Sequence, residues 1–498
     1  MGIMRTKSIE QSIRDTEEPE FQLRKALGPI DLIVFGIGVI IGTGIFVLTG
    51  VAAATYTGPA VSLSFVVAGI ACALAALCYA EFASTVPVAG SAYTFSYASI
   101  GEFVAWIIGW DLILEFTVGA ATVSVGWSGY FSQILSSFFG VSLPTAITSA
   151  EEGLMNLPAA IIALLLTVIL VVGIRLSSGF NLVVTIIKLS VVVFFIGLGI
   201  FYVQADNLTP FIPPAAPPEG GGSFFEAPLL QSILGIEQTT FGFSGIITGA
   251  AVVFFAYIGF DVVATTAEEA RNPRRDLPIG ILGSLAICTI LYILVSQIMT
   301  GIVPYTDLND PAPMALAFSS IGLNVAAGAV SIGAICGLTS VIMILMLGQS
   351  RVAFAMSRDN LLPRYFARSH PRFRTPYRIT ILTGIVVAIM AAFFPLTSLA
   401  NLVSIGTLFA FVLVAGGVMI LRRTRPDLPR SFKTPLVPVV PILAILICLY
   451  LMLSLTGGTW IRFIVWMLLG VIIYFAYSVR ASRLARGLSA EEAAREMR

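Results

Sequence analysis

The sequence predicts an all-α polytopic membrane protein with twelve transmembrane helices. They form a five-plus-five inverted repeat with helices 1 and 6 broken, followed by two extra C-terminal helices. Three observations lead there. Apolar runs of about 20 residues, each long enough to cross a hydrocarbon core, recur along all 498 residues, of which 57% are hydrophobic and only 11% charged. Arginine and lysine gather in alternate connections. Two of the runs, at 36–50 and around Ile258 and Gly259, carry glycines at mid-span, where a continuous helix interior disfavours them.

Composition narrows the function classes. Net charge is +1, which gives no hint of a nucleic-acid partner. Cys72, Cys78, Cys288, Cys336 and Cys448 all lie in apolar runs without paired metal-binding spacing, and the only histidine, His370, sits in a basic loop. No metal site and no organic cofactor are expected.

Residues 1–27 are polar and of mixed charge, without the apolar core of a signal peptide, and read as a cytoplasmic N-terminal segment with room for a short amphipathic helix. Apolar segments follow at about 29–50, 59–86, 102–136, 158–174, 180–203, 243–268, 277–303, 324–356, 377–394, 397–421, 436–456 and 461–479. These divide the chain into a first repeat (28–203), an extracellular Pro/Gly-rich loop (204–242), a second repeat (243–421), helices 11 and 12 (422–480) and a cytoplasmic tail (481–498). The loop reads as extended or disordered, with a short surface helix around 228–238.

Orientation follows from basic residues. With the N-terminus in the cytoplasm, the inside loops carry Arg271, Arg274 and Arg275, then Arg358 through Arg378, then Arg422 through Lys433. The outside loops 137–157, 204–242, 304–323 and 394–396 contain no lysine or arginine, and Arg462 is the lone exception near the outer end of segment 12. The positive-inside rule therefore places both termini in the cytoplasm.

Segment 1 contains GIGVIIGTGIFVLTG, with glycines at 36, 38, 42 and 44. Irregular backbone inside a bilayer survives only where protein buries it or where it lines a cavity. Gly42, Thr43 and Gly44 read as a helix break, with free carbonyls before it and free N–H groups after it, a pair of termini suited to a zwitterion. The alternative is close helix packing through small residues. Segments 1–5 and 6–10 have opposite topology, so segment 6 should be interrupted where segment 1 is. It reads GAAVVFFAYIGFDVVATTAEEA, with Ile258 and Gly259 at mid-span and Asp261 just beyond.

Four ionisable residues lie deep in the segments: Asp111, Glu115, Lys188 and Asp261. Each costs roughly 2.5–3.5 kcal/mol at depth unless it has a partner or a cavity. Asp111 and Glu115, four apart, share a helix face, and Glu115 is about 20 Å from the cytoplasmic end at 1.5 Å per residue. Lys188 is near 10 Å deep by the same arithmetic. It either snorkels to the cytoplasmic face or stays buried, where desolvation disfavours the charged amine and lets it gain and lose a proton in a cycle. Glu81, near the inner end of segment 2, reads as an interfacial anchor. Thr339 and Ser340 put two hydroxyls into segment 8, where such groups often bond the preceding turn, and Leu345 would form an apolar wall.

Four stretches together, GIGVIIGTGIFVLTGVAAA, CYAEFASTVPVAGSAYTFSYASIGEFVAWIIGWDLILEF, FFAYIGFDVVATTAEEARNPRRDLPIGI and GQSRVAFAMSRDNLLP, resemble the amino acid–polyamine–organocation transporter superfamily. The resemblance is strongest to bacterial homologues of its cationic amino acid transporter branch. It implies the inverted-repeat fold and two added helices. It implies that backbone N–H groups around Gly42, Thr43 and Gly44 hold a substrate carboxylate. The α-ammonium would rest on carbonyls near Ile40 and at Phe255, Ala256 and Ile258, with Phe255 as an outer aromatic gate. In sodium-coupled relatives a cation sits between helix 1 carbonyls and helix 8 hydroxyls, which Thr339 and Ser340 match. In proton-coupled relatives a helix 5 lysine occupies that space, and Lys188 matches it. An ammonium and a sodium ion would repel in one small site, so the proton is the expected coupling ion and sodium the alternative. Glu115 resembles an acid of this branch, either paired with the lysine or facing the substrate side chain.

The expected function is secondary active transport of L-amino acids across the plasma membrane, a bacterial inner membrane, by proton-coupled symport. Exchange or sodium coupling is the alternative. Leu345 departs from a dedicated arginine carrier, so neutral as well as cationic amino acids are expected substrates. The other expected partners are the lipid bilayer and, as an option, a bound lipid or small single-span helix. An ion channel lacks a filter-like loop or charge ring here, and an enzyme lacks a deep histidine, a serine triad or a metal cluster.

Overall fold

The computed structural model describes residues 5, 27–85, 91–173, 178–217, 223–235, 239–368, 370, 372–373, 375–428 and 430–486. The expected N-terminal amphipathic helix and the last twelve residues of the tail lie outside these. Among the described residues there is no β-strand, only helices and isolated bridges. The chain is a multi-pass membrane protein. Among the described residues, eight helical runs are long and apolar enough to cross a membrane, and four shorter apolar helices accompany them.

In order, the helices are α1 (Pro29–Ile40), α2 (44–57), α3 (Val61–Thr85), α4 (Ser91–Ser99), α5 (Glu102–Phe139) and α6 (Leu157–Val172). Then come α7 (Ser178–Gly199), α8 (Leu229–Leu234), α9 (Gly242–Val253), α10 (Val262–Thr265) and α11 (Pro273–Ile302). The rest are α12 (Pro313–Ser320), α13 (Asn324–Arg358), α14 (Tyr377–Phe393), α15 (Leu396–Thr424), α16 (Val439–Leu453) and α17 (Gly457–Ile473). A helix satisfies its own backbone in lipid, which is why apolar length alone locates most of these. Their ends follow local chemistry. Asn156 accepts from the Ala159 N–H and Pro158 sits in the first turn of α6, while Gly140 closes α5 at φ 63°. Two short helices, α4 and α12, lie in connections where no apolar run announced them.

The buried core is built mainly from α1, α2, α3, α5, α9, α11, α13 and α15, whereas α6, α7, α14, α16 and α17 expose apolar side chains such as Val168, Val183, Ile389, Leu446 and Ile472. Outward-facing aliphatics of this kind suit contact with lipid. Three tryptophans tie α5 to α17. Trp110 stacks on Trp106 and on Trp466, with ring centroids 5.6 and 4.4 Å away. Trp106 Nε1 donates to the Gly470 carbonyl at 2.8 Å and Trp110 Nε1 to that of Trp466 at 2.9 Å. Glu81 anchors the C-terminal end of α3: its carboxylate accepts Arg422 Nε at 2.9 Å, Arg422 Nη2 at 2.7 Å and the Thr434 N–H at 2.8 Å.

The described parts of the Pro/Gly-rich connection are irregular yet held by hydrogen bonds. Asn207 Nδ2 donates to the Gly301 and Ile302 carbonyls at 3.0 and 3.1 Å, and Phe241 N–H to Tyr56 O at 2.8 Å. Its expected surface helix is the shorter α8, and residues 236–238 lie outside the described part.

Candidate binding site

The first long apolar segment does not form one helix. α1 stops at Ile40, and Ile41 is extended with φ −71° and ψ 97°. Gly42 bends, and the chain is helical again from Thr43. The interruption is therefore Ile41 and Gly42, one residue earlier than the sequence placed it, and Thr43 and Gly44 begin the second half-helix. The N–H groups of Gly42, Thr43 and Gly44 meet no backbone carbonyl among the described residues. They are the free donors of a helix start. The other interrupted segment runs through α9, tightens into a 3-10 turn at Phe254–Tyr257 and straightens at Ile258, with φ −61° and ψ 133°. Gly259 then takes φ 121°, a conformation that side chains rarely allow, before α10 resumes the helix.

The two interruptions press against each other. A Cβ on Gly44 would collide with the backbone of Ala256, and one on Gly259 would stand 2.7 Å from Val39 Cγ1. Gly126 of α5 makes room for Thr43 in the same way, with Thr43 Cγ2 2.7 Å from where a Cβ would be. Tyr292 of α11 completes the junction. Its hydroxyl lies 2.8 Å from the Ile40 carbonyl and 2.6 Å from the Ala256 carbonyl. A hydroxyl has one proton, so it donates to only one of the two at a time. From α5, Tyr130 donates to the Phe46 carbonyl at 2.6 Å.

A small cavity of about 20 Å³ lies where these elements meet. Its polar wall is the backbone at 42–44 with Thr43, whose hydroxyl is buried without a partner among the described residues. Val39, Val123, Phe255, Ile258, Val341 and Leu345 form the apolar walls, and Ile40 and Gly119 complete it. Leu345 faces α5, with its Cδ1 3.4 Å from a Cβ built on Gly119. Such a place offers donors and acceptors from the main chain and nothing charged from side chains.

Lys188 is fully buried and does not snorkel. Its ammonium donates to the Gly38 carbonyl near the end of α1 and, at 3.3 Å, to that of Ile41 in the interruption itself. Its stem packs on Gly337, where a Cβ would be 3.2 Å away. Ser340 hydrogen-bonds the Gly337 carbonyl at 2.8 Å. Thr339 donates to the Ile335 carbonyl at 2.7 Å and accepts from Trp127 Nε1 at 3.0 Å. Both helix hydroxyls are thus engaged with neighbouring protein groups, in the back-bonded manner common for such residues.

Glu115 belongs to a separate group of buried polar side chains. It is absent from the cavity wall, lying one turn before Gly119, and Lys188 is occupied elsewhere. Its charged neighbours are Asp261 and Asp111, and the Thr407 hydroxyl of α15 is beside its carboxyl. Asp111 rests on Gly406, whose missing side chain leaves the space. Asp261 lies beside the Gly259 and Val262 amides without hydrogen-bond geometry to them. α5 and the second interrupted segment thus bring three buried carboxyls into one region, beside Gly406 and Thr407 of α15. Sequence reasoning missed Tyr292 and Tyr130; the available signal was a hydroxyl at mid-span of an apolar run.

A family model described as amino acid permease matches residues 27–481. The chain is 47% identical over 490 residues to the branched-chain amino acid permease BcaP of Bacillus subtilis, covering 97% of this chain and 99% of that one. It is 46% identical over 466 residues to the methylthioribose transporter of the same organism, covering 93% and 95%. To the human cationic amino acid transporter 4 it is 37% identical over 431 residues, covering 86% of this chain and 64% of that one.

Proposed function

The chain belongs to the amino acid permease family, in the amino acid–polyamine–organocation superfamily, and from that premise we propose that it is a proton-coupled symporter of neutral, apolar L-amino acids working by alternating access. It is a transporter, and an amino acid is the substrate class its family implies. The observation that carries the finer reading is the meeting of two interrupted helices around an apolar cavity. Free N–H groups at 42–44 suit a carboxylate, since a helix N-terminus favours an anion. Ile40 and Ala256 offer two carbonyls to one shared hydroxyl, leaving acceptor capacity for an α-ammonium. Val123, Val341 and Leu345 favour an aliphatic side chain and oppose a cationic one.

Lys188 supports the proton reading. Its ammonium already sits on the carbonyls that a sodium ion would need, and two cations there would repel. The proposed cycle has twelve spans in two inverted repeats rocking around the interruptions, both termini in the cytoplasm, and Phe255 as the gate on the outer side. The cavity admits little more than a water, so its walls must part for a substrate to enter.

The test is uptake into proteoliposomes. An inward proton gradient should drive accumulation of leucine, isoleucine or valine above equilibrium, and a sodium gradient at uniform pH should not. Accumulation that follows sodium alone, or only exchange against internal amino acid, would reject proton symport. A relative that carries a neutral thiosugar supplies the second reading, and methylthioribose belongs in the same assay.

A further inference from the structure

Most buried hydroxyls in these helices bond the preceding turn of their own backbone, as Thr122, Thr167, Ser331 and Thr407 do. Ser404 of α15 does not. It is fully buried, and its Oγ has no partner among the described residues. One turn away Asn401 is nearly as buried, with its Oδ1 also without a partner. Leaving such atoms dry is costly, so they either hold water or are tolerated for a reason.

Their places on the helix give the reason. Asn401, Ser404 and Thr407 are three residues apart, on one side of α15, each about 4.5 Å further along the axis. Asn401 lines a basin of about 1100 Å³ at the end of the molecule whose connections lack arginine and lysine. Among the described residues, Glu226 and Arg462 are the charged ones in that basin's wall. At the other end of the row, Thr407 stands beside Glu115. The groups facing Glu115 are Asp261 from the second interrupted segment, Asp111 from its own helix and Thr407 from α15. All three carboxyls are buried, and those of Asp111 and Asp261 have no hydrogen-bond partner among the described residues.

We propose that Asn401, Ser404 and Thr407 form a proton path from the outer basin to Glu115, with Asp111 and Asp261 as further acceptors. The spacing fits one water between successive polar groups, held by the unpartnered Asn401 and Ser404 oxygens and handed on to the Thr407 hydroxyl. A proton enters as hydronium from the basin and passes by exchange of O–H bonds along the waters and the two hydroxyls. It ends on a Glu115 carboxylate oxygen, and no other bond forms or breaks. This assignment rests on the proton-coupled reading above. It gives that reading a second titrating centre, separate from Lys188, which lies on the carbonyls of α1.

The experiment compares Ser404→Ala, Asn401→Leu and Ser404→Thr with the parent protein in proteoliposomes, using leucine. Two rates are read: uptake driven by an acid jump on the outer face, and leucine–leucine exchange at uniform pH, which needs no net proton movement. The first two variants should slow driven uptake roughly tenfold, the effect of losing about one hydrogen-bonded partner from the rate-limiting hop. Exchange should be unchanged, and Ser404→Thr should restore driven uptake. Driven uptake at the parent rate in both variants overturns the path. So does an equal loss of both rates, which would assign these residues to packing or binding. If the parent protein itself shows no acid-driven uptake while exchange proceeds, the coupling reading fails and the path with it.

Discussion

Gly44 lies so close to Ala256 that no side chain fits between the two half-helix ends. The contact joins residues more than two hundred positions apart and fixes how the free N–H groups of one interruption face the carbonyls of the other. Gly44→Ala should separate them. Overpacking of this kind costs about 1–3 kcal/mol. The expected outcome is a folded protein that leucine no longer stabilises in a thermal-shift assay. Retained stabilisation would show that the contact does not shape the site.

Tyr292→Phe removes the hydroxyl shared by the Ile40 and Ala256 carbonyls. One buried carbonyl then lacks its donor, at about 1–3 kcal/mol. The variant should melt at a lower temperature in detergent, and added leucine should recover part of the loss, because an ammonium can take the hydroxyl's place.

Lys188→Ala takes away the cation on the Gly38 and Ile41 carbonyls. Acid-driven uptake should disappear while leucine binding survives at reduced affinity. A variant that accumulates leucine at the parent rate would remove the lysine from the coupling step.

Leu345→Ala enlarges the apolar wall facing Gly119 and Val123. Each missing methylene in such a pocket is worth about 1–3 kcal/mol of discrimination. Valine and leucine should bind more weakly and phenylalanine or methionine comparatively better, read as relative inhibition of leucine uptake.

Much of this architecture is legible in the residues, for reasons that also mark the limits. Long apolar helices reveal themselves because lipid demands both length and hydrophobicity, and α5, α11, α13 and α15 begin and end within a few residues of their hydropathy limits. Lys188 and Asp261 stand out because a charge at depth has few excuses. Their neighbours are another matter. The acceptors of Lys188 are backbone carbonyls, which have no sequence identity, and the grouping of Glu115 with Asp261 and Thr407 needs three elements far apart in the chain. Tyr292 reads as one more apolar filler until its hydroxyl is placed. The helices α4 and α12 lie in polar, mixed connections where neither period nor composition distinguishes a helix from a turn.

The central claim is that two main-chain ends hold the two opposite charges of an amino acid. The most direct measurement compares thermal stabilisation of the purified protein by L-leucine, by 3-methylbutylamine, which lacks the carboxylate, and by 4-methylpentanoate, which lacks the ammonium. A ligand that binds only the folded state raises its stability by an amount that grows with the logarithm of its concentration over Kd. Stabilisation by leucine alone is the predicted result. Equal stabilisation by either analogue would contradict the account, since one pair of ends would then be contributing nothing.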